Sequence, residues 1–320
     1  MIETVRIGVI GTGNMGSLHA RVAADSQGVG LVGIFDADAS RAGDIAARYG
    51  TQAFTSASEL IAACDGVIVA APSTLHHEYA GMCIDAGTAV LVEKPVAITV
   101  SEGQDLIGRA AAAGVVAHVG HIERFNPTFS EVARVLKGRT LRSLALRRTS
   151  PFTPQAQDID VTLDLMIHDL DLALALAGGA PSGIAAEAHT IQARKPDLVT
   201  ALLGLENGVS VVLTASKASF EKVRVIEAHA DDASIRADLL TREVWVHQRI
   251  DDSYREEGSF VTYQQQTVVE RIFAAPVEPL RAEHRAFTDA IRGIDDRDVS
   301  LADGTRALRA ALDIIDAYSA

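Results

Sequence analysis

Three ionisable side chains in this sequence have the neighbours and spacing expected of acid–base chemistry. Lys94 lies in the tripeptide Glu93-Lys94-Pro95, after an apolar run, and Pro95 keeps Lys94 out of helical geometry and permits a cis bond. An ammonium group at a strand end can stabilise a developing oxyanion. Asp164 and His168 stand four residues apart in an apolar helical segment, where the carboxylate can fix the imidazole tautomer and raise its basicity. We therefore predict Lys94, His168 and Asp164 as catalytic residues for oxidation of an alcohol.

Each of these side chains also has a purely structural interpretation. A lysine after a strand is usually solvated, and His168 can be a core histidine satisfied by Asp164. At 100° per residue, Asp171 falls within about 60° of Asp164 and His168, and a polar stripe on so apolar a helix needs partners. The glycine-rich motif described next favours the catalytic interpretation.

A glycine-rich motif directly follows the first apolar run. Residues 11–16 read GTGNMG, between the strand-like Val5–Ile10 and an alanine-containing helical segment. In this context the glycines permit a tight turn, the approach of a pyrophosphate, and close packing of helix on strand. The motif predicts a dinucleotide-binding turn made of Gly11, Thr12, Gly13, Asn14, Met15 and Gly16.

Asp36 is the residue from which we predict the choice of cofactor. It follows the second strand, 20 residues after Gly16, where a carboxylate accepts hydrogen bonds from ribose hydroxyls and repels a 2′-phosphate. NAD is therefore favoured over NADP. Arg41 could swing towards a 2′-phosphate and weaken this choice, or be an exposed helix arginine. We expect Asp38 to cap the following helix.

Two further segments lie at the carboxyl ends of predicted strands, where a ligand of an open α/β sheet binds. Residues 71–74 read APST, and Ala71, Ser73 and His76 could contact the cofactor's phosphate or nicotinamide ribose. Ser73 or Thr74 could instead cap the helix beginning near His76. The second segment is Glu93-Lys94-Pro95, and we add Glu93 and Lys94 to the predicted cofactor-binding residues.

The elements that must position these residues follow an α/β rhythm in the first third of the chain. Short β-branched runs alternate with alanine-rich segments, which predicts right-handed crossovers and an open, doubly wound parallel sheet of the Rossmann type. The predicted strands are Val5–Ile10, Gly30–Phe35, Gly66–Ala70, Ala89–Val92 and Val115–Val119, and the predicted helices are 17–26, 38–49, 76–86 and 99–113.

The alternation of predicted strands and helices ends near residue 120. We therefore predict a dinucleotide-binding domain over 1–120 and a substrate-binding and oligomerisation domain over 121–320. The second domain should be α/β with an open, largely antiparallel sheet, including a hairpin that turns at Asn207-Gly208. Its predicted elements are helices at 127–137, Val161–Ala177, 278–293 and 301–318, and strands at 141–149, Val199–Leu205, Val209–Ala215, Lys222–His229, Ser234–Ala237 and Glu243–His247. The helix at 301–318 could pack back on the first domain, and 250–277 has no assignment.

Taken together, the motifs resemble the glucose-fructose oxidoreductase and inositol dehydrogenase (Gfo/Idh/MocA) family. The resemblance spans nearly the whole chain and rests on GTGNMG at 11–16, Asp36, APST at 71–74, EKP at 93–95 and the Asp164/His168 pair, in the expected order. It implies a Rossmann domain followed by an α/β domain whose open sheet supports a homodimer or homotetramer. It also implies that Lys94 and His168 bracket the reacting carbinol, with Asp164 supporting the histidine.

Within that family, residues 119–127 (VGHIERFNP) and the DLMIHDLD helix look most like UDP-N-acetylglucosamine 3-dehydrogenases. The resemblance implies oxidation at C3 of the sugar. Ile122 stands where many relatives have asparagine, which leaves a contact with the cofactor amide at that position open. Glu123 stands where arginine is common, which is consistent with a different sugar pocket. The predicted substrate residues are Glu123, Arg124, Asn126, Arg148 and His168. A diphosphate would need a local basic site, for which Arg124, Arg147, Arg148, Lys217 and Arg224 are candidates; each could equally be a scattered surface charge.

Composition excludes several other classes of function. The 320 residues carry a formal net charge of -13, which disfavours nucleic acid and anionic membranes as partners. Cys64 and Cys83 lack CxxC spacing, which favours a reduced, cytoplasmic setting, and no export signal or apolar run of membrane-spanning length is present. His118, His121 and His168 with three aspartates lack the spacing of zinc motifs, so no metal is expected.

Two alternatives to a UDP-sugar dehydrogenase stay open. A free polyol, myo-inositol or glucose dehydrogenase would need no diphosphate site. A non-enzymatic, NAD-sensing regulator on the same fold would need neither the lysine nor the histidine.

Overall fold

The computed structural model describes residues 4–154, 157–257, 260–294 and 299–319, with the backbone alone over 250–266. The strands are β1 Val5–Ile10, β2 Val29–Phe35, β3 Gln52–Ala53, β4 Gly66–Val69, β5 Ala89–Glu93, β6 Ala117–Gly120, β7 Leu141–Thr149, β8 Pro181–His189, β9 Leu198–Leu205, β10 Ser210–Ser216, β11 Val223–Ala230, β12 Ala233–Asp238, β13 Glu243–Glu257 and β14 Phe260–Phe273. The α-helices are α1 Asn14–Asp25, α2 Ala39–Arg48, α3 Ala57–Ala62, α4 His76–Asp85, α5 Val100–Ala113, α6 Pro127–Leu136, α7 Ile167–Ala177, α8 Pro279–Ile291 and α9 Leu301–Ser319.

The chain divides into two compact units. The first contains Met1–Phe125 and Val277–Arg309, and the second contains Asn126–Pro276 and Ala310–Ala320. The second division falls inside α9, so this helix contributes residues to both units.

The first unit contains a six-stranded sheet in the order β3-β2-β1-β4-β5-β6, and its strand pairs are parallel. The strand order runs outward from β1 on both sides, and in open α/β sheets ligands bind at such a switch point, here beyond the carboxyl ends of β1 and β4. Strands β4 and β5 are buried throughout and β1 is buried apart from Arg6, as expected for the inner strands of a sheet covered on both faces, whereas most of β2 is only partly buried. The predicted doubly wound parallel sheet is confirmed. The sequence patterns missed β3 and α3, which are too short to show a clear period.

The second unit contains an eight-stranded sheet in the order β14-β13-β12-β11-β7-β10-β9-β8. Its strands pair antiparallel except for β7 and β10, which are parallel. The predicted hairpin is confirmed: β9 and β10 pair around Asn207 and Gly208, and Gly208 has a φ of 83°. β8 was not predicted, and the unassigned residues 250–277 contain most of the β13–β14 hairpin.

The apolar segment predicted as the helix Val161–Ala177 is helical but not uniform. A π-helical turn at Thr162–Met166 leads into α7. A π turn holds more residues than an α turn, so the 100° spacing used to place Asp164 and His168 on one face does not apply between them. Among the described residues, no helix has the length and apolar character needed to cross a membrane.

Candidate active site

The glycine-rich turn between β1 and α1 forces the backbone into contacts that only glycine allows. Gly11 has a φ of 92°, and a Cβ on Gly16 would lie 1.9 Å from the Gly11 carbonyl oxygen. Gly13 is different, because a Cβ there would meet no atom within 4 Å. Gly13 also begins α1 without a side-chain cap, so the first N–H groups of the helix are available to an anion. The turn can therefore hold a pyrophosphate.

Asp36 lies at the carboxyl end of β2 and faces this turn. Its Oδ2 accepts hydrogen bonds from the Thr12 N–H at 2.7 Å and the Thr12 hydroxyl at 2.6 Å, and its Oδ1 accepts from the Asp38 N–H at 2.8 Å. Burial by itself would raise the pKa of Asp36. The hydrogen bonds from Thr12 and Asp38, together with the charge of Arg41, outweigh burial and hold the pKa below its usual value. Asp36 is therefore a carboxylate at neutral pH.

The guanidinium group of Arg41 forms ion pairs with two carboxylates. Its Nη2 lies 3.2 Å from Asp36 Oδ1, and its Nε lies 3.1 Å from Asp38 Oδ2. Asp38 caps α2 as expected, accepting from the N–H groups of Ser40 and Arg41. The carboxylate that would bind ribose hydroxyls is thus also the partner of the arginine that could attract a 2′-phosphate.

The APST segment follows β4. Ser73 begins a short 3₁₀ turn, and neither Ser73 nor Thr74 caps a helix with its side chain. The alternative prediction, that one of them caps the helix beginning near His76, was therefore wrong. His76 is 2% exposed, and its ring nitrogens lie 2.7 Å from the Pro95 carbonyl oxygen and 2.9 Å from the Ala71 carbonyl oxygen. His76 therefore joins the loop after β4 to the loop after β5. Its predicted contact with a cofactor stays a prediction.

Lys94 directly follows β5 and is half-buried, and the Lys94–Pro95 bond is cis. Because β1, β2, β4 and β5 are parallel neighbours in one sheet, the glycine-rich turn, Asp36, the APST segment and Lys94 all lie at its carboxyl edge. Glu93 points into the core instead: it is 6% exposed and lies 2.8 Å from the Nε2 of His19 in α1.

Of the predicted substrate residues near the end of the first unit, Glu123 and Asn126 are buried and Arg124 is half-buried. Glu123 is 4% exposed, and Arg124 Nη2 lies 3.9 Å from Asp303 Oδ1. Asn126 caps α6, accepting from the Thr128 N–H at 3.0 Å. A structural role for Asn126 is therefore visible, and contact of these three residues with a substrate stays a prediction.

In the second unit, Asp164 lies in the π turn and His168 is half-buried in the first turn of α7. Asp164 Oδ2 is 3.4 Å from the ammonium nitrogen of Lys217, a residue only 3% exposed. Lys217 also donates to the Ile159 carbonyl oxygen. The sequence named Lys217 as a phosphate candidate, and the structure gives it a carboxylate partner from the predicted catalytic pair.

Arg148, predicted to bind substrate, is 2% exposed. Its Nε and Nη2 donate to Asp169 Oδ1 at 2.9 and 2.7 Å. The guanidinium therefore joins β7 to α7. Asp169 was missed by the sequence analysis, although a buried aspartate in so apolar a helix signals a charged partner. Among the described residues, no group of three or more His, Cys, Asp or Glu side chains could hold a metal ion.

Comparison with known protein families gives two matches. A model described as an oxidoreductase family with an NAD-binding Rossmann fold, GFO/IDH/MocA, matches residues 5–121. The GFO/IDH/MocA C-terminal domain matches residues 134–236.

Individual relatives are similar over most of the chain. A UDP-N-acetylglucosamine 3-dehydrogenase from Acidithiobacillus ferrooxidans is 37% identical over 77% of this chain and 77% of that protein. A solved structure of that dehydrogenase has a TM-score of 0.89 at 33% identity and covers 99% of this chain and 98% of its own. An inositol 2-dehydrogenase from Saccharopolyspora erythraea is 34% identical over 65% of each protein.

Proposed function

Because the chain belongs to the NAD-binding GFO/IDH/MocA oxidoreductase family, we propose that it oxidises a secondary hydroxyl of a sugar ring, at C3 of UDP-N-acetylglucosamine. One observation carries the proposal: the glycine-rich turn, Asp36 and Lys94 all follow strands of a single parallel sheet at its carboxyl edge. The choice of substrate is supported by the similarity to the Acidithiobacillus ferrooxidans dehydrogenase.

In this proposal, the turn at 11–16 holds the pyrophosphate of NAD and Asp36 binds the adenosine ribose. Bound NAD supplies the hydride acceptor. The His168 imidazole takes the hydroxyl proton while the C–H bond of the same carbon breaks with its electron pair, which leaves a ketone. The Lys94 ammonium donates a hydrogen bond to the developing alkoxide. Asp164 orients the imidazole, and Lys217 positions Asp164.

The test is turnover by Lys94→Ala and His168→Ala, with NAD binding measured in parallel. Each variant should lose at least about 100-fold in kcat while still binding NAD, because each removes one proton-transfer or charge-stabilising group. Lys137→Ala and His189→Ala are the matched controls, since both side chains are exposed on the second unit. Full turnover in both Lys94→Ala and His168→Ala would remove the proposed roles.

A free cyclitol is the second candidate substrate, favoured by the 34% identity to an inositol 2-dehydrogenase. Arg148 and Lys217 are 2% and 3% exposed and are held in ion pairs with Asp169 and Asp164, which disfavours both as ligands of a diphosphate. Turnover of UDP-N-acetylglucosamine, myo-inositol and glucose should be compared at equal enzyme concentration. Preference for a free polyol would select the second candidate, and NAD binding without turnover of any sugar would favour a regulator.

A further inference from the structure

Four ionisable side chains form a cluster in the core of the first unit, next to Lys94 in the chain. Glu93 ends β5, His19 lies in α1, and Glu283 and His284 lie in α8. Their exposed fractions are 6%, 0%, 1% and 2%. Burying this many titratable groups is costly unless each is neutral or paired, so the cluster needs an explanation.

The cluster is built around His19. Its Nε2 lies 2.8 Å from Glu93 Oε1, and its Nδ1 lies 2.8 Å from the Nε2 of His284. Glu93 Oε2 accepts a hydrogen bond from the backbone N–H of Lys94 at 3.1 Å. Because an ionised carboxylate only accepts, the His19 Nε2 carries the proton in its contact with Glu93. One carboxylate is thus held between an imidazole and the peptide of Lys94.

The two buried glutamates are in opposite protonation states. Burial would raise the pKa of Glu93, but the hydrogen bond and charge of His19, together with Lys94, outweigh it and lower the pKa. Burial, reinforced by the charge of Glu93, raises the pKa of Glu283 well above its usual value, and no hydrogen-bond partner for its carboxyl oxygens is found within the described residues. Glu93 is therefore the charged member and Glu283 is neutral.

His284 is also neutral. Burial lowers its pKa well below the usual value, and the charges of His19, Arg281 and Arg21 act in the same direction. Of the two buried glutamates, the one that carries the negative charge is therefore Glu93, the residue directly before Lys94. Gly120 of β6 makes space for the Glu93 carboxyl group, because a Cβ at that position would lie 3.1 Å from its carboxyl carbon.

We propose that His19 is a positioning residue for Lys94 and acts through Glu93. The imidazole holds the Glu93 carboxylate in the one orientation in which it accepts from the Lys94 N–H, and this fixes where the Lys94 side chain leaves the sheet. The inference rests on the proposed function, in which the Lys94 ammonium stabilises an alkoxide. A misplacement of about 1 Å at such a group can cost roughly 100-fold in rate.

The test compares two substitutions that each retain one half of the imidazole's hydrogen bonding. His19→Gln can place an amide N–H near the position of Nε2 and keep the bond to Glu93. His19→Asn reaches only the position of Nδ1 and leaves Glu93 without its donor. We expect His19→Asn to lose roughly tenfold or more in kcat, with KM and the Kd for NAD within about threefold of wild type. His19→Gln should stay within about threefold in kcat.

The pH profile separates this role from simple support of the core. Without the His19 donor, burial raises the pKa of Glu93, so the fall of kcat on the acid side should move to higher pH in His19→Asn but not in His19→Gln. Glu93→Gln and Glu283→Gln provide a second comparison that does not alter α1. Glu93→Gln should lower kcat, whereas Glu283→Gln replaces a group that is already neutral and should leave kcat and its pH profile unchanged.

The outcomes are distinguishable. Wild-type kcat and pH profile in His19→Asn, alongside loss of turnover in Lys94→Ala, would overturn the role of His19 and leave the proposed function standing. Equal loss in His19→Gln and His19→Asn would also overturn it, because the bond to Glu93 would not be the cause. Full turnover in Lys94→Ala would reject the proposed role of Lys94 and this inference with it, whereas absence of turnover of any sugar by the wild-type protein would reject the proposed function. If His19→Asn fails to fold, equal kcat in Glu93→Gln and Glu283→Gln overturns the inference.

Discussion

The Asp36 carboxylate accepts hydrogen bonds from both the N–H and the hydroxyl of Thr12, at 2.7 and 2.6 Å. This contact ties the end of β2 to the glycine-rich turn across 24 residues of sequence. The Asp36 carboxylate and the Thr12 backbone, which lie at the predicted adenosine end of the site, are therefore held in place before a cofactor binds. This lowers the conformational entropy that is lost on binding.

Replacing Asp36 by alanine should weaken NAD binding and reduce discrimination against NADP. The substitution removes the predicted ribose contact and one of the two carboxylate partners of Arg41, so that the Arg41 Nη2 which faced Asp36 becomes available for a 2′-phosphate. We expect KM for NAD to rise roughly tenfold or more and the ratio of NADP to NAD activity to increase. Steady-state kinetics with both cofactors measures this, with Arg41→Ala as control. An unchanged ratio would contradict the role of Asp36.

Gly16→Ala and Gly13→Ala should separate folding from cofactor binding. A Cβ on Gly16 would lie 1.9 Å from the Gly11 carbonyl oxygen, so Gly16→Ala must displace backbone and should lower Tm by several degrees. A Cβ on Gly13 meets no atom within 4 Å, so Tm should be kept. KM for NAD should rise, because the second glycine of this motif is the one that lets the backbone approach a pyrophosphate. Thermal unfolding and NAD titration test both; normal NAD binding by Gly13→Ala would argue against a phosphate at this turn.

The ion pair between Arg148 and Asp169 should be a stability determinant of the second unit. Both side chains are almost fully buried, at 2% and 5% exposure, so Arg148→Met leaves a buried carboxylate without its guanidinium. We expect a loss of about 3–5 kcal/mol in the free energy of unfolding. Denaturant unfolding of Arg148→Met, Asp169→Asn and the double variant measures the coupling. Arg142→Met breaks an exposed pair with Asp231 and should leave Tm unchanged.

Glu283→Gln should stabilise the protein increasingly as pH rises. The folded-state pKa of Glu283 lies well above its ordinary value of 4.5, so above that pH the unfolded chain loses a proton that the folded chain retains. Wild-type stability therefore falls as pH rises from about 4.5 towards the folded pKa, and glutamine removes this loss. Tm of both proteins at pH 5 and pH 8 tests the sign. A difference that shrinks towards pH 8 would show that Glu283 is ionised in the fold.

The elements that the sequence predicts well are those whose signal is local. Apolar runs of strand length alternating with helical segments specify the parallel sheet, because each run must be buried on both faces. The Asn207-Gly208 step specifies a hairpin since the turn needs a positive φ. β3 and α3 were missed because two and six residues give too few periods to be distinguished from a loop. β8 was missed because its nine residues, PSGIAAEAH, show no clear alternation of apolar and polar side chains.

The sequence by itself determined the glycine-rich turn, the position of Asp36 after β2 and the position of Lys94 after β5, because each depends on neighbours within a few residues. Only the tertiary structure decided what the buried charges do. His19 meets Glu93 across 74 residues and His284 across 265, and Arg148 meets Asp169 on another element. Such pairs arise from the packing of helices against a sheet, and the free energy of burying a charge depends on that packing, which no local pattern encodes.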